Sequence, residues 1–191
     1  MNSNHSEEAH RIFDAEIEGL KRTKGRLNES FSQSVELILG SKGKVVVAGI
    51  GKSGIIGHKI AATLASTGTS AVYLNAGEAL HGDLGVVNAE DVVLMLSNSA
   101  ATTELVHMLP SIKQIGAKMI GLFGKSDTAL AQACDLVLDA SVEQEACSLG
   151  LAPMTSSTVA LVMGDALASA LMQARAFKPD DFAVYHPGGS L

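Results

Sequence analysis

The sequence predicts an α/β protein: a three-layer sandwich with a five-stranded parallel sheet flanked by helices. Three observations carry that expectation. Short runs such as Val45–Val47 and Val92–Leu96 are β-branched or aliphatic throughout, as in strands covered on both faces. Stretches of helical period alternate with them, at the spacing that right-handed crossovers require. Polar, glycine-rich turns follow the strands, where open parallel sheets bind their ligands.

In chain order, residues 5 to about 39 carry a helical stripe of Ile12, Ile17, Leu20, Leu27, Phe31, Val35 and Ile38. Gly25 and Asn28 divide it into two helices. Residues 1–40 thus form a helical arm, packed on the domain or on a neighbouring subunit, ahead of a single domain over residues 41–191. The first strand begins at Val45 and a helix follows through Ile60, Ala61, Leu64 and Ala65. Further strands are expected at Ala71–Leu74, Val92–Leu96, Met119–Phe123 and Leu136–Leu138. Between them come a segment too glycine-dense for a long helix (Asn75–Gly85), a helix from about Thr102 to Ile115, and a short helix near Ala129–Ala133. A helix of about Ser156–Ala174 is apolar around most of its circumference, which implies burial on several sides.

Composition excludes whole classes. With 47% hydrophobic and 18% charged residues among 191, the chain suits one buried core. A net charge of −6 and the absence of tryptophan leave neither a basic face nor a stacking platform for nucleic acid. Cys134 and Cys147 lack a CxxC spacing and read as reduced thiols. No export signal is recognisable and no apolar run is expected to cross a bilayer, so the expectation is a cytoplasmic protein with no membrane partner.

Val45-Val-Val-Ala-Gly-Ile-Gly-Lys-Ser-Gly-Ile-Ile-Gly57 joins a strand to a helix start through glycines. Backbone N–H groups and a helix dipole at such a turn suit an anion, and Lys52 makes a phosphate the first candidate. Gly49-Ile-Gly-Lys-Ser-Gly54 satisfies GxGxxG, but the second strand ends Val72-Tyr-Leu-Asn75, without the carboxylate a dinucleotide ribose needs. A Walker A register fails as well, since its first glycine would fall on Val46. A small phosphorylated metabolite remains. Ser97-Asn-Ser99 and Thr102 supply hydroxyls at the next helix start; alone they would read as caps, and beside the first loop they read as phosphate ligands.

Several further motifs stand in order. Gly51-Lys-Ser-Gly54, Gly77-Glu-Ala-Leu-His-Gly-Asp-Leu-Gly85, Ser97-Asn-Ser99, Glu145-Ala-Cys-Ser-Leu-Gly-Leu-Ala-Pro153, Val162-Met-Gly-Asp-Ala-Leu-Ala168 and His186-Pro-Gly-Gly189 resemble the sugar isomerase (SIS) domain of D-arabinose 5-phosphate isomerases, from about residue 10 onward. The resemblance implies the SIS fold, interconversion of D-ribulose 5-phosphate and D-arabinose 5-phosphate for lipopolysaccharide or capsule synthesis, no cofactor or metal, and a homotetramer whose sites are shared between subunits. It places catalytic roles on Lys52, Glu104, Glu145 and His186, with His81 in a loop that reaches a neighbour's site; Gly51, Ser53, Ser97, Asn98, Ser99 and Thr102 would bind substrate.

The chain departs from that pattern in three places. The regulatory module pair common after His-Pro-Gly-Gly is expected to be absent, the serine loop runs Ala100-Ala-Thr102 in place of Gly-Glu-Ser, and Asn75 replaces a histidine. An aldose–ketose isomerase needs a base over the sugar and a polar group between O1 and O2. Glu145 is the candidate base, although without the resemblance it would read as a solvated loop carboxylate and Glu104 as a helix-dipole partner. Isomerisation of a hexulose or heptose phosphate, and a non-catalytic phosphosugar module, are the competing readings.

Overall fold

Asn28 makes the first break in the chain. Its side chain accepts from Ser30 N at 2.9 Å and caps helix α2 (Glu29–Gly40), separating it from α1 (His5–Gly25), whose own N-cap is Asn4. The computed structural model describes residues 4–188. After the arm come β1 (Val45–Gly49), α3 (Gly51–Ser66), β2 (Ala71–Asn75), the one-turn α4 (Ala76–Ala79), a 3-10 turn (Asp83–Val86) and β3 (Val92–Ser97). Then follow α5 (Thr103–Ile115), β4 (Lys118–Phe123), α6 (Ala129–Ala133), β5 (Leu136–Asp139), α7 (Thr155–Ala174) and α8 (Pro179–Tyr185).

All five strands are parallel, in the order β2-β1-β3-β4-β5. Alternate residues feed two cores, one on each face of the sheet. Val45, Val47, Leu94, Ile120 and Leu138 meet Ile38 of α2, Ile60 and Leu64 of α3, and Val159, Leu167 and Leu171 of α7. Val46, Ala48, Val93, Met95 and Phe123 meet Leu105, Met108 and Ile112 of α5 and Leu130 of α6. This is the expected three-layer sandwich. The chain crosses from β1 outward to β2 and then back over β1 to β3, so the crossovers diverge between β1 and β3, and a crevice opens at their carboxyl ends.

The arm divides its stripe. Val35 and Ile38 are buried and Phe31 and Leu20 pack partly against the core, whereas Ile17 and Leu27 stay about half exposed. Arg26 fastens the arm to the end of β5 through Asp139 at 2.8 Å and Ser141 O at 2.6 Å.

One expectation needs correction, and one helix lies outside the expectations. By length and composition α7 is able to span a membrane, with mean hydropathy 1.3 over its most apolar window, contrary to the expectation that no run is long enough. Its apolar residues instead serve the core between sheet and arm, with Val159, Met163, Leu167 and Leu171 buried. Helix α8 was not foreseen in the tail. It starts on Pro179 at N1, with Asp181 accepting from Lys178 N at 2.8 Å, a start signal legible in Lys178-Pro-Asp-Asp181. Gly189 of the His-Pro-Gly-Gly segment lies outside the described residues.

Gly164 lets α3 and α7 touch. A Cβ there would press on the Ile60 side chain, itself fully buried. Helix propensity alone would make Gly164→Ala stabilising by about 1 kcal/mol. Overpacking of a buried neighbour costs about 1–3 kcal/mol, so a net loss near 1 kcal/mol and a lower thermal midpoint are expected in calorimetry.

At the amino ends of β1 and β3 the buried Asp91 carboxylate accepts from Lys44 Nζ at 2.7 Å, Lys44 N at 2.9 Å and Asn88 N at 2.8 Å. Burial pushes its pKa up, but the Lys44 and Asn88 donors outweigh that and hold the carboxyl below the usual carboxylate range. The stabilisation is therefore complete above the unfolded carboxyl pKa of about 3.9 and is lost as pH falls through the lower folded value. Asp91→Asn should cost about 3 kcal/mol in urea denaturation at pH 7, with the gap to the parent narrowing as the pH falls below the unfolded carboxyl pKa of about 3.9.

Candidate active site

The crevice between β1 and β3 opens into a cleft of about 440 Å³. Its first wall is the β1–α3 turn. Gly54 packs so tightly under it that a Cβ there would lie 2.5 Å from the Tyr73 hydroxyl and 3.2 Å from Gly49 O. Tyr73 in turn donates to Gly49 O at 2.9 Å. Gly51 adopts φ +61°, a left-handed conformation that glycine takes at little cost, and α3 starts there. Among the described residues no side chain caps α3, which leaves its first N–H groups open to a ligand. Lys52 and Ser53 line the cleft from this turn; Gly51 shapes it without lining it.

The β3–α5 loop is the second wall, and Ser97, Asn98, Ser99 and Thr102 all line the cleft. Thr102 occupies the N-cap position of α5 but makes no cap hydrogen bond. Its hydroxyl instead pairs with that of Ser97 at 2.7 Å, and Ser97 Oγ accepts from Ala100 N at 3.0 Å. The first turn of α5 is thus a second uncapped helix N-terminus on the same crevice. Ala100 stands where the resembling sequences carry glycine, and it keeps a left-handed turn at φ +48° while fully buried. Such a conformation costs a non-glycine residue about 1–2 kcal/mol. Gly124, following β4, leaves room for Asn98, whose carbonyl oxygen would lie 2.5 Å from a Cβ at that position.

The third wall brings in the carboxylate. Glu145, in the loop between β5 and α7, lines the cleft and is part-buried. Its Oε2 accepts from Met154 N at 2.8 Å and Ser156 N at 3.2 Å, and its Oε1 accepts from the Ser156 hydroxyl. Glu145 therefore caps α7 from a distance, since Met154 at the N-cap position has no suitable side chain. Around it, Ala146 N donates to Thr155 Oγ1 at 2.9 Å, and Arg11 of the arm donates to Ala146 O at 2.7 Å. Ser156, Ser157, Gly150 and Leu151 line the same cleft and were missed from sequence. The Thr155-Ser-Ser157 run at a helix start, the pattern already noted at Ser97–Thr102, was the available signal.

Glu104, His81 and His186 do not line this cleft. Glu104 sits in the first turn of α5, and His81 is exposed between α4 and the 3-10 turn. His186 stacks on Phe182 with ring centroids 3.7 Å apart and its Nδ1 lies 2.8 Å from Phe182 O. It follows α8, which leaves the C-terminal end of α7. That end lies beside the turn after α3, where a Cβ on Gly68 would meet the Phe177 ring at 2.6 Å. The cleft is at the other end of both helices. Asp165 pairs with Lys59 across α3 and α7 and has no part in the cleft.

The electrostatics divide the cleft in two. Lys52, which makes no ion pair among the described residues, and two uncapped helix N-termini provide an anion-receptive end. Glu145 faces it with a carboxylate anchored on a third helix N-terminus. No group of three or more His, Cys, Asp or Glu among the described residues is placed to hold a metal ion.

Fold and cleft together define a doubly wound α/β domain with an anion-receptive crevice at its switch point. Residues 38–170 match the SIS domain family, and the chain belongs to that family. It is 51% identical over 183 residues to arabinose 5-phosphate isomerase KdsD of Pseudomonas aeruginosa PAO1, covering 96% of this chain and 56% of that protein. It is 48% identical over 180 residues to KdsD of Escherichia coli K12, covering 94% of this chain and 55% of that protein. The chain thus spans just over half the length of these curated relatives. A solved structure of an E. coli CFT073 protein in complex with arabinose 5-phosphate superposes with a TM-score of 0.94 at 41% identity, covering 98% of this chain and all of that one.

The two free thiols differ in environment. Backbone N–H groups of Ala152, Leu151 and Leu149 hold the Cys147 thiol below its usual range, whereas burial pushes Cys134 up to about 11. Iodoacetamide at pH 8 should therefore modify Cys147 and spare Cys134, as peptide mass mapping would show.

Proposed function

We propose that the chain is an aldose–ketose isomerase that interconverts D-ribulose 5-phosphate and D-arabinose 5-phosphate through a cis-enediol. One observation carries the reading. In a chain about half identical to arabinose 5-phosphate isomerases, a lysine, a hydroxyl cluster and a carboxylate from three separate loops face one cleft. The sugar phosphate complex of the E. coli CFT073 protein supports a pentose phosphate as the ligand.

In this reading the phosphoryl group sits on the first turns of α3 and α5, held by Ser53, Ser97, Ser99 and Thr102, with Asn98 beside it and Lys52 balancing its charge. Gly51 gives the loop its shape. The sugar then runs toward Glu145, whose carboxylate removes the proton from C1 of the ketose and returns it to C2 of the aldose. Meanwhile the O2 carbonyl must gain a proton and the O1 hydroxyl must lose one. Neither a nucleotide nor a metal is needed for that exchange.

Glu104, His81 and His186 stand outside the cleft of a single chain, and we assign them to sites completed between subunits of a homotetramer. Residues 1–40 serve as the arm and residues 41–191 as the SIS domain. The setting is cytoplasmic, and the aldose product feeds synthesis of 3-deoxy-D-manno-octulosonate for lipopolysaccharide or capsule.

Purified protein should convert ribulose 5-phosphate to arabinose 5-phosphate without added metal, followed by NMR. Aldose formation only from a hexulose or heptose phosphate in the same panel would shift the substrate class. Glu145→Gln should abolish turnover while calorimetry still registers phosphosugar binding; retained turnover removes Glu145 from the mechanism. Lys52→Ala should weaken binding about 10- to 100-fold in the same titration, the scale of one charge-assisted phosphate contact.

A further inference from the structure

Among the cleft residues Ser156 has no role in the mechanism given above, yet it is the residue most involved with the candidate base. It is 5% exposed and donates twice to Glu145, through its N–H to Oε2 at 3.2 Å and through its hydroxyl to Oε1. A carboxylate has about four lone-pair sites. Met154 N and Ser156 N occupy the two on Oε2. The hydroxyl occupies one on Oε1, which leaves a single site on that oxygen.

We propose that Ser156 is a positioning residue that makes Glu145 Oε1 the atom presented to the sugar. The inference rests on Glu145 being the base, as proposed above. With the Ser156 hydroxyl in place the carboxylate plane is fixed at three points, so only one lone pair is left to take the proton. Without it the carboxylate keeps its two backbone donors on Oε2 but can pivot about that single oxygen. Oε1 then loses its fixed aim. Binding of the phosphate, at the α3 and α5 turns, does not involve this contact.

The test compares Ser156→Ala with Ser156→Thr in the purified full chain on ribulose 5-phosphate. Ser156→Ala removes the hydroxyl and keeps the N–H. A loss of one hydrogen bond to a charged group predicts a fall in kcat of about 10- to 100-fold. KM and the thermal midpoint should stay near those of the parent, and Ser156→Thr should recover most of the rate. If the added methyl prevents folding of the Thr variant, Ser156→Cys, with its weak S–H donor, should give a rate between those of Ala and Ser.

Unchanged kcat in Ser156→Ala overturns the proposal. So does a variant that unfolds or loses rate together with several degrees of thermal midpoint, because the hydroxyl would then be a helix cap only. Glu145→Gln separates the two readings. Turnover retained in that variant sinks the base assignment and the inference with it, whereas an inactive Glu145→Gln beside a fully active Ser156→Ala sinks the inference alone.

Discussion

Everything in the cleft depends on how closely α3 approaches β1. Gly49 and Gly54 face each other so closely that a Cβ on Gly49 would lie 3.2 Å from Gly54 N and one on Gly54 would lie 2.5 Å from the Tyr73 hydroxyl, and Tyr73 fastens the contact by donating to Gly49 O. That approach brings the first turn of α3 to the carboxyl end of β1, next to the loop that leaves β3. The sheet order places β1 beside β3, and the crossovers leave in opposite directions there. Two uncapped helix N-termini therefore point into one crevice, each carrying the partial positive charge of its dipole. An anion is the natural occupant.

The third helix start on that crevice behaves differently. The N-terminus of α7 is already occupied by Glu145, with two backbone N–H groups and one hydroxyl directed at its carboxylate. One contact thus serves two ends: it closes a helix whose own N-cap, Met154, cannot do so, and it holds a carboxylate still across from the anion-receptive turns. Arg11 reaches from the arm to the carbonyl of Ala146, and Glu16 accepts from Thr158 at 2.9 Å. The arm is accordingly part of what fixes the loop that bears the carboxylate. In the proposed reaction rigidity at this point has a chemical meaning, since a general base requires its acceptor lone pair to be aimed before the substrate arrives.

Much of this was legible in the residues. Alternating β-branched runs and helical stripes gave all five strands, and the strand ends named the turns that converge. Helix α8 escaped notice although Lys178-Pro-Asp-Asp181 carries a start signal, because that helix buries no residue and so shows no apolar stripe. The hydroxyls of Ser156 and Ser157 escaped notice for a related reason. Read one loop at a time, a serine at a helix start is a cap, and only its neighbours in space turn it into part of a cleft.

Sequence by itself determined the layers, the parallel sheet, the glycine turn and the kinds of group available, because periodicity and turn chemistry are local properties that any fold must obey. Tertiary structure alone decided which of those groups meet. It brought Lys52, the Ser97–Thr102 loop and Glu145 together across the switch point, and it sent His186 to the far end of α3 and α7. The physical reason is that strand order and crossover direction are settled by packing over the whole sheet, and no stretch of neighbouring residues records them.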